Sequence, residues 1–479
     1  MAAKSTYALR ILLIIPLLSI CITTMAQSIQ QQKTDSVFQL VKKEFNARSV
    51  ESLYALTGDA FKKQLDLPTF RNFCEIRFFP LGNMVDASLI SFVNNKTATY
   101  KVVFSYITLQ LFLSIDESDK IDYFLFQPLD NPPANKSNAV ASTNPLKTLT
   151  DKEVDTAARA YIQKINTVGL SIGVFKDGKV TTYGYGETTR GNGKIPTPNT
   201  IFEIGSITKT FTATLLAWYV NQGKISLTDP ITRFLPDSVA ANPALQAIKL
   251  VNLSNHTSGL PSLPSDFFKH AADTLNPYKD YDQKLLYGYL KNCTLNSKPG
   301  ETYAYSNMAV ALLGSILEQI SRKSYDEMVA EIITRPLQMN STVEHLTPLL
   351  MQRFVTVYGE DGKATPAWNM NVFAPAGGLR STVNNLMVYA RANMIGGDSE
   401  LAKAFELTHQ ITFSKDVKVG LNWHISTVNG VDYYFHNGGT YGSTSFLAFN
   451  AEKNIAVVVL SNCGASVDGV GVSILKRLQ

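Results

Sequence analysis

Cysteine is scarce: four in 479 residues, at Cys21, Cys74, Cys293 and Cys463. They are widely spaced and contain no C-x-x-C, so they make no disulfide framework. Each reads as small apolar core filler. Histidine is scarce too, with six in all. No H-E-x-x-H or other close pair occurs, so no metal is expected, and no cofactor. No long run of Lys or Arg exists, and the formal net charge of +5 is mild for this length. That leaves no electrostatic case for nucleic acid. Past residue 26 no apolar stretch approaches the ~20 residues of a bilayer span. Nucleotide and elbow motifs fail as well. Gly184-Tyr185-Gly186-Glu187-Thr188-Thr189 lacks the third glycine of a dinucleotide loop. Gly193-Lys194 runs into Ile195 and lacks the upstream glycine of a phosphate loop, and no G-x-S-x-G occurs.

What is present suits a folded chain: 45% of residues are hydrophobic and 17% charged. Residues 1–26 have the pattern of a secretory signal. Lys4 and Arg10 give a positive start, residues 11–22 are apolar apart from Pro16 and Ser19, and Thr24-Met25-Ala26 offers small residues for cleavage. The apolar stretch is short for a membrane anchor. A lipoprotein site at Leu18-Ser19-Ile20-Cys21 places bulky Ile20 where a small residue is preferred, so anchoring through Cys21 ranks second. The expected location is periplasmic or secreted, with no integral span after cleavage. Nothing in the sequence specifies an oligomeric state.

Residues 28–127 form one compositional unit. Helix patterns at 36–45, 49–56 and 67–76 precede strand-like runs at 87–93, 97–106, 109–115 and 120–126. Helices followed by strands predict an α+β domain with helices on one face of an antiparallel sheet. The order resembles small NTF2-like domains. Residues 128–150 read as a linker, with Pro128, Pro132, Pro133 and Pro145 among polar residues. Residues 151–479 form the larger unit. A helix is expected at 151–164, then a hairpin of 169–176 and 179–186 across Asp177-Gly178. Strands return at 421–427, 432–436, 443–450 and 454–461, and a helix closes the chain from about 467 to 478. Strands from both ends with helices between predict one mixed domain whose termini meet in a sheet.

Ser206-Ile207-Thr208-Lys209 is an S-x-x-K tetrad at the start of a helix pattern that closes at Gly223. Lys209 lies three residues on, on the same face, within reach of the serine hydroxyl. A helix start adds free N–H groups. A serine nucleophile needs a base, a fixed position and oxyanion donors. The plainer reading makes Ser206 an N-cap and Lys209 a solvated cation. A second tetrad, Ser473 to Lys476, falls in the closing helix pattern without such context. Tyr305-Ser306-Asn307 sits between a Pro299-Gly300 turn and a helix pattern. Tyr305 could take the serine proton if a nearby Lys cation lowered its phenol, whose ordinary value is ~10. Asn307 could hold Lys209 and donate to a substrate oxygen. His436-Asn437-Gly438-Gly439 ends a strand pattern, and its glycines allow close approach by a ligand. The Gly439 and Ser206 amides could form an oxyanion hole.

Taken together, S-x-x-K, then Y-S-N, then H-N-G on a late strand resemble the serine β-lactamase and penicillin-binding-protein superfamily, above all its class C branch. Flanking phrases agree: Phe202-Glu203-Ile204-Gly205, residues 253–261 (LSNHTSGLP), residues 376–382 (AGGLRST) and Gly420-Leu421-Asn422-Trp423. The resemblance spans about residues 152–479. It implies the transpeptidase-like fold: an antiparallel sheet flanked by helices, with a helical lobe around 263–295. It also implies Ser206 as acylated nucleophile, Lys209 and Tyr305 as the proton-handling pair, Asn307 as substrate anchor, and His436, Gly438 and Gly439 on the substrate strand. Many penicillin-processing members carry Lys where this chain has His436. An unperturbed His is mostly neutral at pH 7 and grips a carboxylate weakly. Esterase and peptidase members often have His there.

The first expectation is therefore an exported serine hydrolase acting through an acyl-enzyme on a small-molecule or peptide ester or amide. A D-Ala-D-Ala carboxypeptidase or class C-like β-lactamase is second. A non-catalytic binding or sensing protein that keeps the fold is third, and the intact Ser206, Lys209 and Tyr305 set argues against it.

Overall fold

The computed structural model describes residues 14–94, 96–104, 108–128, 139–415 and 417–478. Two compact units divide between Pro132 and Pro133. Residues 1–13 of the expected leader, and 129–138 of the expected linker, lie outside the described residues.

In the first unit α1 (Ile14–Asn46) is one helix of 33 residues, longer than the 36–45 segment expected. No glycine or proline falls between residues 17 and 46, so nothing interrupts it. It is followed by α2 (Val50–Ala55), α3 (Asp59–Gln64) and α4 (Leu67–Phe73). The short α3 has no counterpart in the sequence reading. Asp66 caps α4 by accepting from the Thr69 amide. Four strands then form an antiparallel meander: β1 (Met84–Val93), β2 (Thr97–Phe104), β3 (Thr108–Ile115) and β4 (Ile121–Pro128). Phe38, Val41 and Phe45 of α1 share a core with Tyr100, Phe104, Leu111 and Leu113. Phe38 stacks on Tyr100 at 4.2 Å. Among the described residues no helix is long and apolar enough to cross a membrane.

In the second unit α5 (Leu149–Ile162) opens with a capping box of Thr148 and Asp151. The hairpin of β5 (Gly169–Lys176) and β6 (Lys179–Gly186) turns on Asp177 and Gly178, both with positive φ, as the Asp-Gly pair requires. Two short strands, β7 (Phe202–Glu203) and β8 (Arg380–Ser381), pair with each other. Helices α6 (Thr208–Asn221), α7 (Gln283–Leu290), α8 (Asn307–Ser321), α9 (Val383–Met394) and α10 (Glu400–His409) fill the middle of the chain. The strands β9 (Lys418–Val419), β10 (His424–Val428), β11 (Val431–Gly439), β12 (Thr444–Asn450) and β13 (Ile455–Ser461) follow, then α11 (Asp468–Leu478).

The large sheet has the order β6-β5-β13-β12-β11-β10-β9, all antiparallel. β13 pairs β5, so the two ends of this unit meet in the sheet as expected. β12 and β13 are buried at every residue, because both faces are covered. On one face Val154 and Tyr161 of α5 and Ile474 and Leu475 of α11 pack with Ile172, Val457 and Val459. On the other, Phe211 and Leu215 of α6, Leu312 of α8 and Leu386 of α9 pack with Leu447, Val458 and Leu460. The strand expected at 421–427 is corrected. It begins at His424, because Asn422 adopts φ 56° and breaks the extended run. The expected lobe at 263–295 holds a 3₁₀ turn, Phe267–Lys269, and α7.

Candidate active site

Ser206 sits in a 3₁₀ turn, Gly205–Ile207, that runs straight into α6. It caps nothing; Ile207 is the residue before the helix. Gly205 holds φ 49°, and a Cβ there would meet the Gly439 amide nitrogen at 2.6 Å. A Cβ on Gly438 would meet Ile204 O at 2.1 Å and the Ser206 amide nitrogen at 2.9 Å. The two glycines thus let the serine turn and β11 touch backbone to backbone. That contact brings the Ser206 and Gly439 amides to the same place. Around Gly439 a Cβ would find open space.

Lys209, one helical turn along, is fully buried. Its Nζ lies 2.9 Å from Ser206 Oγ, 2.7 Å from Asn307 Oδ1 and 2.6 Å from Ala376 O. The last two oxygens only accept. A neutral amine has two N–H groups, and these oxygens occupy both. In that form the lone pair faces the Ser206 hydroxyl, whereas the ammonium donates to Ser206 Oγ as its third acceptor. Burial holds the Lys209 ammonium well below its ordinary range, which favours that neutral form. The second S-x-x-K tetrad lies in α11 and builds no such contacts among the described residues.

Ser306 is spent on structure. Its Oγ accepts from the Ala309 amide at 2.9 Å, capping α8, and donates to Pro261 O at 2.7 Å. Its neighbours are thereby fixed. Asn307 reaches Lys209, and the Tyr305 ring lies 4.8 Å from Lys209 Nζ. Ser206, Tyr305 and Asn307 are all partly exposed, so this buried amine adjoins an open surface.

His436 is buried on β11, its ring 6.4 Å from that of Tyr305. Its Nδ1 is 2.6 Å from Asn437 O, an acceptor, so Nδ1 carries the proton. Nε2 is then a lone pair, buried and without a partner. Burial first, then His424 and Lys209, hold this imidazole well below its ordinary range. It is neutral at pH 7.

Four residues escaped the sequence reading as parts of the site. Glu203, noted only as a flank, is buried between Phe202 and Ile204. Its Oε1 accepts from the Trp368 amide and its Oε2 from Thr440 Oγ1, both at 2.6 Å. Thr440 directly follows Gly439, so this carboxylate braces the end of β11. Burial pushes Glu203 up, against the hydrogen bond from Thr440, the charge of Arg380 and the Trp368 amide. A carboxylate flanked by apolar residues just before the tetrad was the available signal. His256, also noted only as a flank, packs against Tyr305 with ring centres 4.4 Å apart and planes tilted by 37°, and accepts from the Ser306 amide at 3.2 Å. Tyr303 and His424 join hydroxyl to ring nitrogen at 2.6 Å. No local motif marks them.

Among the described residues no group of three or more His, Cys, Asp or Glu is placed to hold a metal ion. Two cavities, of about 460 and 230 Å³, are lined by other residues: the first by Trp218, Tyr219 and Glu400, the second by Glu344, Gly378 and Arg380. Size alone does not mark the site; converging chemistry does.

The family model described as Beta-lactamase matches residues 154–478. The chain is 25% identical over 343 residues to a "Beta-lactamase" of Pseudomonas fluorescens, covering 64% of this chain and 92% of that protein. It is 28% identical over 325 residues to the "D-alanyl-D-alanine-carboxypeptidase/endopeptidase AmpH" of Escherichia coli K12, covering 64% of this chain and 82% of that one. Among solved structures, a "Beta-Lactamase/D-Alanine Carboxypeptidase" from Pseudomonas syringae superposes with a TM-score of 0.61 at 24% identity. That match covers 69% of this chain and 98% of the other. At that identity the likeness speaks for the fold.

Proposed function

We propose, from the premise that this chain belongs to the Beta-lactamase family and is a serine hydrolase, that it is exported and hydrolyses an ester or amide through an acyl-enzyme on Ser206. The observation that carries the role assignment is the three-way contact of Lys209 Nζ with Ser206, Asn307 and Ala376.

Lys209 Nζ takes the proton of Ser206 Oγ as that oxygen attacks the substrate carbonyl carbon. The carbonyl oxygen becomes an oxyanion held by the Ser206 and Gly439 amides. Asn307 steadies Lys209 and the substrate. The intermediate collapses, the bond to the leaving group breaks, and the leaving group receives a proton through the Tyr305 hydroxyl, replenished from the Lys209 ammonium. Water then attacks the acyl carbon by the reverse sequence and frees Ser206. The leader pattern of residues 1–26 supports export; the test is the mass of the mature amino terminus.

An activated phosphonate tests the reaction. Intact protein should be labelled and Ser206→Ala should not. Absence of labelling in the intact protein sinks the reading. A second reading, cell-wall carboxypeptidase or β-lactamase, draws on the printed activities of the relatives. The neutral His436 weighs against it, because it offers a substrate carboxylate no cation. A panel of nitrophenyl esters, D-aminoacyl amides, a D-Ala-D-Ala peptide and a chromogenic cephalosporin separates the two. The first unit resembles NTF2-like domains in its order of helices and strands, and on that pattern we read it as an accessory domain.

A further inference from the structure

Beside Tyr305 stands a set of rings that the acyl-transfer steps leave unused. Tyr303 and His424 are tied hydroxyl to Nε2 at 2.6 Å. The His424 ring lies 6.5 Å from Tyr305 at an interplanar angle of 24°, and 5.1 Å from His436. Tyr303 meets the His256 ring edge-on at 5.7 Å. Tyr303, Tyr305 and His424 are partly exposed, whereas His256 and His436 are buried. Two partly exposed rings, 74° apart in plane, therefore stand beside the catalytic tyrosine, and two buried imidazoles back them.

Resting on the acyl-enzyme reading, we propose that Tyr303 and His424 are specificity-determining residues: their joined rings form a wall that accepts an uncharged planar group of the substrate and disfavours a carboxylate.

Three observations carry this. The hydrogen bond pins both rings at 74° to one another, so a planar group that stacks on one meets the other edge-on, at little entropic cost. The wall carries no cation: burial, then Lys209, lower His424 to about 4, so it is neutral at pH 7. Behind it, the His436 proton is committed to Asn437 O, and the unpartnered Nε2 is a lone pair that adds no attraction for an anion. Specificity here works by withholding a charge partner as much as by offering a surface.

Two matched activated phosphonates test the wall on the full chain, one with a phenyl group and one with a carboxyphenyl group. The readout is the rate of Ser206 labelling by intact mass, and the quantity is the ratio of the two rates. The intact protein should favour the phenyl probe. His424→Lys should move the ratio toward the carboxylate probe by about tenfold, because it adds a cation beside the bound anion. Tyr303→Leu should lower the ratio by slowing the phenyl probe selectively, and it decides the matter should the Lys variant fail to fold. An unchanged ratio in the folded variants, or an intact protein that favours the carboxylate probe, overturns the wall while leaving the acyl-enzyme reading in place. Absence of labelling by either probe overturns both.

Discussion

Replacing Lys209 with methionine separates its chemistry from its packing. Methionine fills nearly the same volume but lacks the amine. The loss of a general base should slow acylation by ~10²–10⁴-fold, or about 2.7–5.4 kcal/mol of activation free energy. The stability effect has two opposed parts. Asn307 Oδ1 and Ala376 O lose their donor, which costs on the order of 1–3 kcal/mol each if nothing replaces it. Against that, a buried amine is no longer kept from water. The net sign is thus a poor test, but its pH dependence is a sharp one. The folded-state value of Lys209 lies well below the unfolded 10.5. Between the two, the unfolded chain holds a proton that the folded chain lacks. Wild-type stability should therefore rise with pH through that window, by up to ~1.4 kcal/mol per unit from this residue. Lys209→Met should lack the increment. Trp218, Trp368 and Trp423 all lie in the second unit, so tryptophan fluorescence in urea reports on that unit. Wild-type and variant curves that run parallel between about pH 8.5 and 10 would refute a neutral Lys209. Acylation within threefold of wild type would refute its role as base.

Gly438→Ala should cost about 1–3 kcal/mol and abolish hydrolysis, because its methyl would strike Ile204 O and separate β11 from Ser206. Gly439→Ala, with open space around it, should keep the melting temperature; a matching loss there contradicts the geometry. Glu203→Leu removes both acceptors and leaves the Trp368 amide and the Thr440 hydroxyl without this partner, so kcat/KM should fall roughly tenfold or more, measured on any turned-over ester. His409 and His424 have folded values of about 4 against 6.5 unfolded, so the unfolded chain gains their protons first and stability should fall as pH drops from 6.5 toward 4. His409→Phe should flatten that fall by up to ~1.4 kcal/mol per unit in urea melts, and an unchanged slope would contradict a buried neutral ring.

Where each part of this molecule was legible follows from how local its cause is. The hairpin at Asp177-Gly178 was readable to the residue, since a two-residue turn fixes its own strands. The Ser206 to Lys209 contact was readable because one helical turn sets it. The break at Asn422 was not: its positive φ accompanies a bond from its amide to Ser254 O, far away in sequence. The same holds within the site. Lys209 was expected as a cation that would lower Tyr305. Its lowered pKa follows from burial alone, against the pull of two acceptors, Ala376 O and Asn307 Oδ1, which arrive from 167 and 98 residues away. A motif names the atom that must move the proton. Which protonation state it rests in depends on burial set against acceptors brought by other segments, and only the fold assembles those. That is also why His436, read as a weak carboxylate ligand from its ordinary value, becomes a stronger discriminator in place: Asn437 O fixes its tautomer and the core removes its charge.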